Sequence, residues 1–173
     1  MKKFAGALGI FTLLIILTGC PLMKDFPIDS PSVKVSSAWY GSYADEGGKT
    51  NWSSAPSTIT IGPGSDYEYK ISELYFTTDT LGETVTNENT YRAHVSKVKG
   101  VSFLNVTKSD ESKYNFYKIE SVGKDLRVTE VAGSCGLGHW SDNIYSSSDL
   151  KKAFEKYAKN PLFYGTPFDL KRN

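Results

Sequence analysis

Residues 91–107, YRAHVSKVKGVSFLNVT, decide the fold, because they have the pattern of two strands joined by a tight turn. Residues 91–98 and 101–107 alternate largely between apolar and polar side chains, which is typical of a strand with one buried face. Lys99-Gly100 lies between them and supplies the glycine that a tight hairpin turn favours. The stretch therefore predicts an antiparallel hairpin.

The same periodicity of two recurs on both sides of this hairpin. Upstream, Ile59 and Ile61 lie on one face of a short segment. Downstream, residues 114–120 and 125–131 show strand patterns on either side of an SVGK turn. The chain therefore predicts several short antiparallel strands that follow one another in sequence order.

The segment DYEYKIS, residues 66–72, gives the clearest single strand signal. Tyr67, Tyr69 and Ile71 alternate with charged side chains, as expected for a half-buried strand. The apolar positions then change phase to Leu74 and Phe76. This phase change predicts a bulge or a break near Ser72-Glu73.

One helix is predicted after the strands, at about residues 149–159. Ser148 is the expected N-cap, and Asn160-Pro161 ends the pattern. A helical face is formed by Leu150, Ala153, Phe154 and Tyr157. Such a short helix must pack on another element, and the expected partner is the outside or the mouth of a barrel formed by the strands.

The predicted fold class is mainly β: an antiparallel meander of seven or eight strands that closes into a barrel, with one C-terminal α-helix. Closure removes the exposed strand edges of such a meander. The layout, with AWYGSY at residues 38–43 before the first full strand, resembles a lipocalin-like barrel. Lipocalins usually place glycine before tryptophan, whereas Trp39 precedes Gly41 here. We therefore carry over the architecture and no binding residue.

Aromatic side chains are abundant on the predicted strands. They could line a cavity for a small apolar or amphipathic ligand, or they could simply fill the barrel. The candidate ligand-binding residues are Tyr67, Tyr69, Tyr91, Phe103, Phe116 and Trp140.

The first residues of the chain indicate export. Met1–Lys3 is basic, Phe4–Gly19 carries no charge, and Leu17-Thr18-Gly19-Cys20 resembles the lipobox of bacterial lipoproteins. The resemblance implies cleavage before Cys20 and a lipid anchor on its thiol. A plain signal peptide or membrane anchor is the alternative.

This reading divides the chain into three parts: residues 1–19 as a removed signal peptide, 20–37 as the lipidated cysteine and an irregular tether, and 38–173 as the barrel domain. An edge strand containing Val33 and Val35 is the alternative for part of the tether. If the cell has two membranes, we expect the outer membrane, facing the periplasm, rather than the inner membrane, because Pro21 is not the aspartate that typically signals inner-membrane retention in this family.

No catalytic, metal or cofactor site is predicted. The loop AGSCGLGHWSDN, residues 132–143, places Cys135 near His139, but no further element of a nucleophilic site accompanies the pair. Metal binding would need more ligands, and His94 lies on a strand elsewhere. We interpret the loop as a glycine-rich turn in which Trp140 packs. A functional rim loop without chemistry is the alternative.

The expected function is a non-catalytic, membrane-anchored envelope lipoprotein that binds a small apolar or amphipathic ligand in its barrel. The alternative is a protein–protein interaction module acting through loops at residues 44–57 and 133–147. A formal net charge of +1 disfavours nucleic acid as a partner.

Overall fold

The computed structural model describes residues 21–45, 57–133 and 140–173 of the chain. The strands are β1 (Met23–Lys24), β2 (Gly41–Asp45), β3 (Ser57–Pro63), β4 (Tyr69–Thr78), β5 (Thr84–Val98), β6 (Val101–Lys108), β7 (Tyr114–Val122), β8 (Asp125–Glu130) and β9 (Phe168–Arg172). The α-helix is α1 (Ser147–Tyr157), and single 3-10 turns lie at Ser37–Trp39 and Pro161–Phe163.

Strands β2 to β9 form a closed antiparallel barrel of eight strands. Each strand pairs with its neighbour in the chain, and β9 completes the circle by pairing with β2. The short strand β1 pairs outside this circle with the beginning of β7. The predicted fold class, a mainly β barrel with one helix near the C-terminus, is therefore confirmed. Among the described residues, no helix is long and apolar enough to span a bilayer.

The hairpin predicted from residues 91–107 is confirmed. Val98 of β5 lies opposite Val101 of β6, and the turn between them is Lys99-Gly100. Both turn residues have positive φ, 51° at Lys99 and 82° at Gly100. This is the backbone of the tight hairpin turns whose twist matches that of the strands.

The predicted bulge near Ser72-Glu73 is wrong. Strand β4 pairs with β3 and β5 in unbroken register through this region. Glu73 continues the inward row of Tyr69 and Ile71, although it is a carboxylate. Leu74 and Phe76 consequently point away from the interior and are 39% and 53% exposed.

Two apolar cores lie on the two sides of the barrel wall. The inner core lies inside the barrel and comprises Tyr43, Ile59, Ile61, Tyr69, Ile71, Tyr91, Ala93, Val95, Leu104, Val106, Tyr117, Ile119, Leu126, Val128 and Leu170. The outer core lies where α1 and the N-terminal segment cover the barrel, and comprises Leu22, Ile28, Val98, Phe103, Phe116, Val131, Ile144, Leu150, Phe154, Ala158 and Phe163.

Helix α1 packs on the outside of the barrel through the face that the sequence predicts. Leu150 and Phe154 are fully buried, and the ring of Phe154 lies 4.8 Å from that of Phe103 on β6. The helix begins two residues earlier than expected, since Ser146 rather than Ser148 is the N-cap. Its hydroxyl oxygen accepts a hydrogen bond from the Asp149 N–H.

The segment expected to be a tether, residues 21–37, lies against the barrel instead of extending freely. Pro21 forms a bridge with Ala132, and the Leu22 N–H donates to the Val131 carbonyl. Leu22 and Ile28 are buried in the outer core. Apolar side chains spaced among prolines and serines therefore dock this segment, although most of it is irregular.

The two ends of the barrel differ. At the end where β3 turns into β4, which we call the closed end, the chain around Trp39 packs against the inner core. The Tyr69 hydroxyl accepts a hydrogen bond from the Ser36 N–H at 2.6 Å, and its ring stacks on Trp39 at 5.4 Å. The Tyr43 hydroxyl donates to the Trp39 carbonyl at 3.0 Å. These contacts cover the apolar interior at this end.

Candidate functional site: a buried polar belt inside the barrel

Glu73 lies inside the barrel and has 0% of its surface exposed. Its Oε2 atom accepts hydrogen bonds from the Tyr91 hydroxyl at 2.9 Å and from Asn89 Nδ2 at 3.3 Å. Strand register explains the contacts, because Asn89 lies directly opposite Glu73 and Tyr91 is its diagonal neighbour on the same face. The carboxylate is thus held by two neutral donors from one adjacent strand.

The other oxygen of this carboxylate, Oε1, has no hydrogen-bond partner among the described residues. The same holds, within those residues, for the hydroxyl oxygen of Ser57. Ser57 is buried on β3, which pairs with β4 on the side away from Asn89. It lies two positions before Ile59, the residue directly opposite Glu73. Two unsatisfied acceptors therefore face the same interior.

A further carboxylate joins this row. Asp45, the last residue of β2, pairs directly with Ser57 and is buried. We use the name polar belt for Asp45, Ser57, Glu73, Asn89 and Tyr91, which occupy adjacent strands β2 to β5 toward the end opposite the closed end. The belt follows the apolar middle of the barrel, where Ile59 and Ile71 are buried.

Electrostatics within the belt fix the role of Tyr91. Burial and the neighbouring Glu73 carboxylate both raise the pKa of the Tyr91 hydroxyl well above its ordinary value of 10.0. The phenol therefore stays protonated, and its O–H donates a hydrogen bond to Glu73. The belt oxygens without a partner among the described residues, Glu73 Oε1 and Ser57 Oγ, can accept hydrogen bonds, so the chemistry of the belt suits a hydrogen-bond donor or a cation.

The six residues predicted to bind a ligand do not line one cavity. Tyr69 and Tyr91 lie in the inner core, Tyr69 at the closed end and Tyr91 in the polar belt. Tyr67 is exposed in the turn before β4. Phe103 and Phe116 lie on the outer face of the barrel and contact Phe154 at centroid distances of 4.8 and 5.6 Å.

Trp140 also lies in the outer core. Its ring is 4.9 Å from that of Phe163, and its indole N–H donates to the Ala132 carbonyl at 3.0 Å. This placement agrees with the interpretation of Trp140 as a packing residue. Strand alternation puts neighbouring positions on opposite faces, so aromatic residues divide between the two cores.

Four belt residues were missed by the sequence reasoning: Asp45, Ser57, Glu73 and Asn89. The signal for Glu73 was present, since the break in alternation at Ser72-Glu73 marks this position. The sequence alone does not distinguish this position from a bulge, because a polar residue on an apolar row and a shift of register give the same local pattern.

A second buried polar group, which we call the outer cluster, lies on the other side of β5. It consists of Asp29, His94, Ser96, Asn105 and Lys151. Asn105 accepts a hydrogen bond from the Ile28 N–H at 2.9 Å and donates to Ser96 Oγ at 2.8 Å. Ser96 donates to the Asp29 carboxylate, and the His94 Nε2 atom lies 2.8 Å from the Asp29 carbonyl oxygen.

The outer cluster joins the N-terminal segment to the barrel wall and to the helix. Lys151 of α1 completes it through an ion pair with Asp29 at 3.4 Å. Within the part of the chain that the structure describes, the cluster has no buried side-chain nitrogen or oxygen without a partner. Its geometry is that of a structural clamp.

Cys20, Cys135 and His139 lie outside the described residues, so their predicted roles stay predictions. In the ranges 21–45, 57–133 and 140–173, no three His, Cys, Asp or Glu side chains are grouped as metal ligands would be.

The fold and the belt define a class: a closed antiparallel barrel with an apolar middle and a row of polar side chains facing the interior near one end. Comparison with protein-family models, with curated proteins and with solved structures gives no significant match.

Proposed function

We propose that the protein is a non-catalytic envelope lipoprotein, anchored through Cys20, whose barrel binds a small amphipathic ligand at the polar belt. The observation that carries this proposal is the fully buried carboxylate of Glu73, which has one oxygen without a partner among the described residues. The proposed location is the outer membrane, facing the periplasm.

Burial of a carboxylate is costly unless all its acceptor positions are satisfied. Glutamate is almost never fully buried without such pairing. An apolar residue at this position would extend the inner core at no such cost, so Glu73 is expected to have a role other than stability. Binding sites combine apolar walls with a few placed polar groups, as Ile59, Ile71 and the belt do.

The N-terminal segment supports the anchor. The lipobox-like residues 17–20 end directly before Pro21, which forms a bridge with Ala132 of the folded domain. A lipid on Cys20 would consequently hold the barrel close to the membrane rather than at the end of a long tether. Two or more acyl chains on this residue would give stable anchoring.

Native mass spectrometry tests both the lipid anchor and the binding of a ligand. The full-length protein is purified from the cell envelope in detergent, and the detergent is removed in the gas phase. We expect a mature mass that begins at Cys20 and carries acyl chains, together with a retained small molecule. A Cys20→Ala variant should lose the acyl mass. A wild-type protein with no adduct under conditions that preserve the fold would contradict ligand binding, whatever the state of Cys20.

A protein–protein role is the second candidate, and one observation favours it. The β4–β5 hairpin extends beyond the end of β3, and its apolar side chains Leu74, Phe76, Leu81 and Val85 are exposed, with Leu81 84% exposed at the tip. Exposed apolar groups clustered on one element are typical of interaction surfaces. Cross-linking in intact envelopes should then capture a partner that a Leu81→Asp variant loses and a Tyr145→Asp variant, altered at another exposed site, retains.

A further inference from the structure

We infer that the polar belt selects a ligand with a protonated amine at its polar end and an alkyl chain behind it. This inference rests on the proposed function and names the ligand class for the same site. It goes beyond that function because a barrel with an apolar interior would otherwise accept alcohols and acids as readily as amines.

The charge of Glu73 is the first argument. Its carboxylate forms no ion pair with a lysine or arginine of the described residues. The inward-facing Arg172 lies at the closed end, where it contacts the Tyr43 ring and the Tyr40 carbonyl. Lys108, next to Tyr91 across the β5–β6 pair, is engaged with Asp110 at 3.8 Å. A buried carboxylate without a countercharge favours a cation supplied from outside.

The hydrogen-bond geometry is the second argument. Oε2 is already engaged by Tyr91 and Asn89, which hold the carboxylate in one orientation. Within the polar belt, Oε1 and the Ser57 hydroxyl oxygen have no hydrogen-bond partner among the described residues. An ammonium group has three N–H donors and no acceptor, so it can satisfy both oxygens at once. A carboxylate ligand can donate to neither.

The polar belt also disfavours a ligand with an anionic head group. Asp45 lies across the β2–β3 pair from Ser57, so the belt contains a second carboxylate on the same face. An anionic head group would meet the like charge of Glu73 in a buried environment, where repulsion is poorly screened. The apolar side chains of Ile59 and Ile71 beside the belt suit the alkyl part of the ligand.

The test compares three probes with one chain length: n-octylamine, n-octanol and n-octanoate. Each is titrated calorimetrically into full-length protein in phosphatidylcholine nanodiscs, with empty nanodiscs as the blank. We expect octylamine to bind at least about ten-fold more tightly than octanol, since a hydrogen bond to a charged group contributes roughly 1.5–3 kcal/mol. Octanoate should not bind.

The matched variants are Glu73→Gln and Glu88→Gln. Glu73→Gln should lower the octylamine affinity about ten-fold and leave that of octanol unchanged. Glu88 lies exposed on β5, and its substitution should change neither affinity. Ser57→Ala provides a milder loss, of about three-fold for octylamine alone, if Glu73→Gln affects folding.

Two results would overturn the inference. Octanol or octanoate binding as tightly as octylamine would remove the selectivity and leave the barrel as a binding protein of another class. Failure of all three probes to bind would also contradict it, and an adduct-free native mass would then contradict the proposed function separately.

Discussion

The two buried polar groups on opposite sides of strand β5 differ in how completely they are satisfied. His94 and Ser96 face outward into the outer cluster, where the described residues pair every buried side-chain nitrogen and oxygen. Asn89 and Tyr91 face inward into the polar belt, where Glu73 Oε1 and Ser57 Oγ have no partner in the described chain. A satisfied network stabilises a fold, whereas an unsatisfied one reduces stability and is retained for another reason.

Asn105→Ala should give the largest effect, because one side chain makes three hydrogen bonds in the outer cluster. Its loss leaves the Ile28 N–H, the His94 carbonyl and Ser96 short of a partner. We expect the free energy of unfolding to fall by about 3 kcal/mol, since each unsatisfied buried group costs roughly 1–3 kcal/mol. Urea denaturation measures this change.

The matched control is Asn173→Ala, which removes an exposed amide that donates to Ser42. It should change the free energy of unfolding by less than about 0.5 kcal/mol. A small effect at Asn105 as well would show that the outer cluster is not a structural clamp and would remove one side of the comparison.

Glu73→Gln should change stability in the opposite direction. The substitution removes a buried charge and keeps an acceptor oxygen for the Tyr91 hydroxyl. We expect the free energy of unfolding to rise by about 1 kcal/mol, because the cost of desolvating the charge exceeds what its hydrogen bonds return. Glu88→Gln is the exposed control. A clear loss of stability at Glu73 would make the belt a structural element like the outer cluster.

The barrel was predictable because its signals are local. Alternation in residues 66–72 and 91–107 and the glycine of Lys99-Gly100 specify hairpins without reference to the rest of the chain. Closure then follows from the need to cover strand edges. The belt was not predictable in this way, since only the register between β4 and β5 shows that Asn89 lies opposite Glu73.

Which aromatic residues face the barrel interior could not be predicted from the sequence for a related reason. Strands β6 and β7 are buried on both faces, inside by the inner core and outside by α1 and the N-terminal segment. Phe103 and Tyr117 are thus equally buried on opposite sides, and hydrophobicity alone cannot separate them. The docking of the N-terminal segment was missed because its partner, Asn105, lies 77 residues from Ile28.

The pH dependence of stability should report on the outer cluster through His94. Burial lowers the pKa of His94 below its ordinary value of 6.5, and the Asp29 backbone contact and charge oppose this only in part. The unfolded chain therefore binds a proton at a higher pH than the folded protein. The contribution of neutral His94 to the free energy of unfolding is complete above pH 6.5 and is lost as the pH falls through its folded-state pKa.

The variant His94→Gln tests this. Its free energy of unfolding, measured by urea denaturation at a series of pH values, should fall less steeply just below pH 6.5 than that of the wild type. The chain has one other histidine, His139, which is unchanged in both proteins and acts as an internal control. Equal slopes in the two proteins would mean that His94 is protonated as readily in the folded state as in the unfolded one.

Lys151→Met should have the smallest effect. The ion pair between Lys151 and Asp29 is 3.4 Å long, and the two side chains are 45% and 26% exposed. Solvent screening limits such a pair to about 0.5 kcal/mol, and high salt should remove the difference between the variant and the wild type. Lys152→Met, at an exposed position on the same helix, is the matched control for helix propensity.

Because Ser96 still donates to Asp29 after the substitution, the cluster is held by hydrogen bonds rather than by this charge. A loss above about 2 kcal/mol would instead place Asp29 among the buried charges that need a counterion, as we infer for Glu73.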